Sequence, residues 1–248
     1  MLLKKAQIET PLPLYYVGPD LEEGPLPCVI YLALSAKESL MTDPFNQPVL
    51  PLYHSSIRVF SVDLPHHGET LASTEGMKKW AHSFSNEEDI LSHFLDQLET
   101  SLRLVFSKFP PSNIGIMGLS RGGFLASHLA ARFSNLSSFV AFAPLTRLDL
   151  VKEFSALIDS PSIQKLHLSF LTETLCQKNI RIYIGNRDLR VSTDACYTWV
   201  KALVEAAFSK EIRSPTIELL LKPSIGFLGH GTSKESFQEG ASWLLSKL

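Results

Sequence analysis

The chain has 248 residues, 45% of them apolar and 19% charged, which excludes a disordered or fibrous polypeptide and leaves enough apolar side chain for a large core. Lysine and arginine total 23 against 25 aspartates and glutamates, so the net charge of -2 supplies no overall field for nucleic acid or an anionic membrane. The longest apolar runs, Val29 to Leu34 and Phe139 to Leu145, are of strand length, far short of the roughly 20 residues a membrane-spanning helix needs.

Met1 to Glu9 places two lysines behind a Leu-Leu pair and then turns polar, so it lacks the apolar stretch of a secretory signal and predicts a cytoplasmic protein. Thr10 to Pro27 is proline-bearing and reads as a hairpin or an extended lead-in. Cys28 to Leu34 and Ile57 to Val62 read as the first two core strands. Ser85-Asn86-Glu87-Glu88 has capping-box spacing, and Ile90, Leu91, Phe94, Leu95, Leu98, Leu102, Val105 and Phe106 then recur at helical period. The strand Ile114 to Gly118, a helix over Gly122 to Phe133 and the strand Phe139 to Phe142 follow.

Residues 146–179 are longer than a usual connection and their leucines keep no single period, which predicts a small cap insertion. After it come the strand Ile180 to Gly185, a helix carrying Trp199, Val200, Leu203, Val204 and Ala207, the strand Ile217 to Leu221, and a last helix with Phe237, Ala241, Leu244 and Leu245. Short strands apolar on both faces, alternating with helices, predict an α/β fold with a mainly parallel central sheet and helices on both sides. No repeat or Gly/Ser linker divides the chain, so a single domain over 1–248 is expected. Cys28, Cys176 and Cys196 are odd in number and in no Cys-x-x-Cys pair, which predicts buried free thiols and neither a disulfide framework nor a zinc site.

Gly118-Leu119-Ser120-Arg121-Gly122 lies between an expected strand and an expected helix. Gly-x-Ser-x-Gly arises by chance in roughly one chain in ten of this length, so its place in the α/β array, not the bare pattern, carries the inference. A sharp strand-to-helix turn strains the serine backbone, and side chains two residues to either side would collide with it; glycines remove the collision and lift the hydroxyl clear. A serine hydroxyl is a poor nucleophile near neutral pH, so it needs a base within hydrogen-bond reach and an acid that fixes the tautomer of the base.

Of the eight histidines, His167 and His230 lie beyond the nucleophile's own helix. His230, in Gly229-His230-Gly231 between the last strand and the last helix, is the expected base; His167 falls in the insertion. Asp188 follows the strand Ile180 to Gly185 at its carboxyl end, where open parallel sheets gather functional groups, and is the expected acid. Asp149, one strand earlier, is its competitor.

With Ser120, Asp188 and His230 in that order, the chain from about Cys28 onward resembles the α/β-hydrolase superfamily. The resemblance implies nucleophile, acid and base roles for the three, an acyl-enzyme mechanism, and no metal or organic cofactor. Val62-Asp63-Leu64-Pro65-His66-His67-Gly68 is similar to the family's Asp-x-Pro-Gly-x-Gly loop, with His66 for the first glycine, and implies a structural Asp63. Where relatives continue the first core strand with His-Gly, this chain has Ala33-Leu34. That loop and the residue after the nucleophile supply the oxyanion-hole N–H groups in the family, which points to Arg121 and to Ser35, with Leu34 as the alternative.

Arg121, Arg187 and Arg190 flank the nucleophile and the acid, either as a rim for anionic substrates or as partners in surface salt bridges. His66 and His67 are neighbours on an extended loop and point apart, which disfavours a shared metal. Leu34, Leu64, Leu119, Phe154, Leu157 and Phe170 are candidates for an apolar acyl pocket. The expected partner is a small acyl substrate such as a carboxylic ester. A peptidase, an acyltransferase or a binding protein that retains the fold would share the same residues.

Overall fold

Alternate residues of the first core strand face opposite sides of the sheet, and the sequence places apolar groups on both. In the computed structural model, which describes residues 1–68 and 74–248, Val29 and Tyr31 of that strand enter one core while Cys28, Ile30 and Leu32 enter the other. The strands are β1 (Lys4–Lys5), β2 (Tyr15–Val17), β3 (Cys28–Leu32), β4 (Arg58–Ser61), β5 (Ile114–Leu119), β6 (Ser138–Phe142), β7 (Asn179–Gly185) and β8 (Ile217–Lys222). They form one sheet in the order β1-β2-β4-β3-β5-β6-β7-β8. Pairing from β4 to β8 is parallel, and β1 and β2 add an antiparallel edge. The lead-in over 10–27 thus contains a strand, β2, that joins the sheet itself.

Helices cover both faces. On one side lie α3 (Gly76–Ser85), α4 (Ile90–Lys108), α5 (Arg121–Arg132) and α8 (Thr193–Ser209); on the other are α1 (Ala36–Met41), α2 (Val49–His54) and α9 (Lys234–Leu245). The last helix buries Phe237, Ala241 and Leu244 at helical spacing, and each large apolar side chain so buried contributes about 1.5–3 kcal/mol. All three cysteines are buried free thiols.

One local expectation shifts. Ser85 closes α3 and does not open α4, whose N-cap is Asp89, its carboxylate accepting from the Ser92 N–H at 3.0 Å. The reason is an unforeseen helix: Met77, Trp80, Ala81 and Phe84 bury one face of α3 and draw Ser85 into its last turn. Residues 146–179 hold α6 (Pro161–Gln164), α7 (Thr172–Leu175) and three short 3-10 turns. They pack against α3, α8 and α5: Phe154 lies against Phe84, the Trp199 indole donates to the Leu168 carbonyl at 3.1 Å, and His128 Nε2 donates to the Leu166 carbonyl at 2.9 Å.

The strand order reverses between β3 and β5. β4 lies beyond β3 on one side and the chain then returns to place β5 on the other, so a crevice opens at the carboxyl ends of β3 and β5. Ser120 follows β5 directly.

Candidate active site

Ser120 stands between β5 and α5 with φ 54° and ψ -118°, a left-handed backbone conformation that costs a non-glycine residue on the order of 1–3 kcal/mol. Its surroundings hold it there. The Ser120 N–H donates to the Phe142 carbonyl at 2.8 Å, and its own carbonyl accepts from Phe124 at 3.1 Å and Leu145 at 3.2 Å. A Cβ on Gly122 would sit 2.0 Å from the Leu32 carbonyl oxygen, and one on Gly118 would lie 2.6 Å from the Gly122 oxygen. Both glycines are therefore required by contact, and the turn lifts the hydroxyl over the sheet.

Asp188 lies just past β7 and is buried. Its Oδ1 accepts from the backbone N–H groups of Arg190 at 2.9 Å and Val191 at 3.0 Å. The Asp188 N–H donates to Thr193 Oγ1 at 2.9 Å, and that hydroxyl donates to the Gly185 carbonyl at 2.6 Å. Oδ2 is left to face His230, whose Nδ1 is 2.7 Å away. Thr193 is a supporting residue that sequence inspection passed over; its only signal was a hydroxyl five positions after the acid.

His230 sits on a tight loop after β8. Gly229 has φ +70°, and a Cβ there would meet the Arg187 carbonyl at 2.0 Å, so the histidine loop lies directly on the acid loop. The Leu189 N–H donates to the Leu228 carbonyl at 2.8 Å, and Gly231 donates to Ile225 at 3.0 Å. This lacing brings His230 Nε2 to 2.8 Å from Ser120 Oγ. A carboxylate only accepts, so Nδ1 carries the proton and Nε2 presents its lone pair to the serine hydroxyl. Asp149 and His167, the competing acid and base, pair with each other instead at 3.1 Å, and Arg147 holds the same carboxylate.

Beside Ser120 and His230 opens a cavity of about 400 Å³ whose apolar wall includes Leu34, Pro44, Phe45, Leu119, Ile225 and Phe237. Pro44, Phe45 and Ile225 carry no motif, and Phe237 was expected only as part of the apolar stripe of the last helix. Of the apolar candidates from sequence, Leu34 and Leu119 line it, whereas Leu64 and Phe154 are core, Leu157 faces a separate groove and Phe170 is exposed. No described residue of 146–179 reaches this wall.

The loop after β3 corrects one assignment. Ser35 caps α1: its Oγ accepts from the Glu38 N–H at 3.2 Å, while its own N–H lies 3.3 Å from Glu38 Oε2. Its N–H is thus committed to a capping box and not to the cavity, from whose described lining Ser35 is absent. The Leu34 N–H donates to Ser39 Oγ at 3.1 Å. Asp63 ties this loop down by accepting from the Ala36 N–H at 2.8 Å.

Arg121, which also borders the cavity, places Nη1 3.0 Å from His67 Nε2. A guanidinium only donates, so His67 accepts at Nε2 and its Nδ1 donates to the Pro65 carbonyl at 2.8 Å. Burial and, to a smaller degree, the Arg121 charge push the His67 pKa down to about 4, so the ring is neutral near pH 7. Arg190 makes a two-pronged bridge to Glu153 at 2.8 and 2.9 Å. Of the three flanking arginines, only Arg121 therefore borders the cavity among the described residues. No cluster of three or more metal-ligating side chains occurs among those residues, and His66 faces Ser83 at 3.5 Å, away from any shared site with His67.

A sequence model described as the alpha/beta hydrolase family matches residues 39–233, more than three quarters of the chain. The chain belongs to that family. Solved structures superpose over nearly its whole length. TT1662 from Thermus thermophilus matches at TM-score 0.70 and 14% identity, covering 99% of this chain and 98% of that one. The esterase Pf2001 from Pyrococcus furiosus matches at 0.65 and 17%, covering 99% and 90%. Dipeptidyl peptidase 4 from Porphyromonas gingivalis matches at 0.66 and 14%, covering 99% of this chain and 35% of that one. Identities this low establish a shared fold, and family membership supports hydrolase chemistry in general. Among curated proteins no match was found.

Proposed function

We propose that the protein is a serine hydrolase that cleaves a carboxylic ester or related acyl substrate through an acyl-enzyme on Ser120. The observation that carries this reading is the unbroken chain from Ser120 Oγ to His230 at 2.8 Å and on to buried Asp188 at 2.7 Å, opening into a largely apolar cavity. In this mechanism Ser120 attacks the substrate carbonyl carbon as its proton passes to His230 Nε2. The imidazolium is stabilised by Asp188 and returns the proton to the leaving alcohol as the tetrahedral intermediate collapses. Water then attacks the acyl carbonyl as His230 takes its proton, and the second tetrahedral intermediate collapses to release the acid as His230 returns the proton to Ser120 Oγ.

The developing oxyanion is assigned to the N-terminus of α5, where the Arg121 N–H sits in the helix's first turn and the helix dipole adds partial positive charge. With Ser35 capping α1 and Leu34 donating to Ser39, the second donor of the usual pair is missing from its expected place. One such donor is worth about a hundred- to a thousandfold in turnover, so this reading expects a slow enzyme.

The test is hydrolysis of p-nitrophenyl esters from acetate to octanoate, alongside a panel of chromogenic peptides. Ester turnover by the wild type should fall by orders of magnitude in Ser120→Ala and His230→Ala, and by about 10⁴ in Asp188→Asn, with each variant folded. Turnover of peptides but not esters would replace the esterase reading by a peptidase one. Equal activity in Ser120→Ala and wild type would leave a fold used for binding.

A further inference from the structure

The loop that carries Asp188 holds a conformation its own residues do not favour. Ser192 has φ 68° and ψ 112°, a positive-φ backbone that a non-glycine residue keeps only where its surroundings over-determine it. The histidine loop supplies one constraint: the Leu189 N–H donates to the Leu228 carbonyl at 2.8 Å, and the Arg187 N–H donates to Ser224 Oγ at 2.6 Å. A second constraint comes from the insertion over 146–179. The two carboxylate oxygens of Glu153 accept from the two Nη atoms of Arg190 at 2.8 and 2.9 Å, and only 9% of the Glu153 side chain is exposed. Its neighbour Phe154 is fully buried against Phe84, so the carboxylate rides on a turn, Lys152–Leu157, that the core holds in place. Burial alone would raise the Glu153 pKa, yet the Arg190 hydrogen bonds hold it below the ordinary 4.5 and keep the bridge ionised near pH 7.

We propose that Glu153 is a positioning residue for Asp188 and acts through Arg190. The Arg190 side chain grips the insertion, while its backbone N–H, together with that of Val191, donates to Asp188 Oδ1 at 2.9 and 3.0 Å. Two donors on one oxygen fix the plane of the carboxylate and leave Oδ2 aimed at His230 Nδ1, 2.7 Å away. A carboxylate free to turn would present either oxygen, and the imidazole would lose the partner that sets its tautomer and its direction toward Ser120. An exposed ion pair would contribute little here, but this one is two-pronged and largely buried, so removing one partner strands the charge of the other. Burial first, and then the Arg190 charge, push the Arg121 pKa down to about 10, while Glu153 works against that push. Arg190 without Glu153 would therefore be repelled from its place near Arg121, and its backbone N–H would be drawn off Asp188. The insertion thus braces the acid although none of its described residues lines the cavity. The proposal rests on the reading of Ser120, His230 and Asp188 as nucleophile, base and acid.

The experiment pairs steady-state ester kinetics with the proton NMR resonance of the Nδ1–H that His230 shares with Asp188, assigned by its loss in His230→Ala. In folded Glu153→Ala, kcat should fall about 10- to 100-fold with KM within about twofold, because a misaimed acid slows the chemistry and leaves substrate binding intact. The His230 resonance should move or broaden in the same variant. Arg190→Ala should behave alike, and the double variant should lose no more than the worse single variant, as expected of two residues that act as one unit. Glu153→Asp, which keeps the charge one methylene short, should restore part of kcat. Circular dichroism and thermal melting confirm that the variants are folded, and Glu153→Gln, of nearly the same shape, serves where Glu153→Ala is not. An unmoved resonance in a folded Glu153 variant overturns the proposal, as does a loss carried by KM alone or losses that add in the double variant. The spectrum is read without turnover, so an inert protein whose resonance answers to Glu153 would sink the ester-hydrolase reading and leave the positioning intact.

Discussion

At the scale of single residues, the site depends on how closely backbones approach. Gly122 lies so near the Leu32 carbonyl that even a methyl group has no room, and the atom in its way is backbone that the sheet holds in place. Gly122→Ala should therefore destabilise the fold by about 3 kcal/mol or more, or push β3 and β5 apart, and urea denaturation with ester turnover would read either effect. A variant with wild-type stability and wild-type turnover would contradict the geometry. The Gly-x-Ser-x-Gly spacing announced this constraint, because only glycines fit around a strained serine. The pairing of Arg121 with a neutral His67 had no such announcement: the two are 54 positions apart, and nothing local couples them.

At the scale of elements, capping and packing decide what local patterns mean. Ser35 and Glu38 close a capping box on α1, so Ser35→Ala should cost about 1 kcal/mol in stability while leaving ester turnover nearly unchanged. Thermal melts and initial rates on one preparation would check it; lost turnover at unchanged stability would deny Ser35 its capping role. Ser85 to Glu88 has the same sequence pattern and no such box opens there, since α3 extends through Ser85. A capping pattern marks a helix end only when the preceding residues are not already helical, and the buried stripe of Met77, Trp80, Ala81 and Phe84 made them so. The insertion over 146–179 shows a related effect. Its leucines lacked one period because short turns pack Phe154, Ile163 and Leu168 into the core one at a time.

At the scale of the whole molecule, buried neutral histidines tie stability to pH. Burial pushes both His67 and His128 from the ordinary 6.5 down to about 4. Between those values the unfolded chain binds more protons than the folded one, so stability should rise with pH, falling as the solution is acidified from about 6.5 to about 4. Each group contributes at most about 3 kcal/mol across that window. Urea midpoints measured through it should decline, and less steeply in His128→Gln; a flat wild-type profile would contradict the burial of both rings.

The alternation of short apolar strands with helical stripes determined the α/β class, the six core strands and the helices α4, α5, α8 and α9, because each is a local pattern, a short apolar run or a stripe of period 3.6, that burial rewards directly. Chain order and glycine spacing also singled out Ser120, Asp188 and His230, since those constraints are written in neighbouring residues. What only the tertiary structure decided were the relations between segments far apart in sequence: the antiparallel edge of β1 and β2, the apolar wall built from Pro44, Phe45, Ile225 and Phe237, the pairing of Asp149 with His167, and the commitment of Ser35 to α1. These depend on which side chains and amides meet once the sheet reverses between β3 and β5, and a hydrogen bond or a cavity wall is a property of the meeting and not of either partner alone.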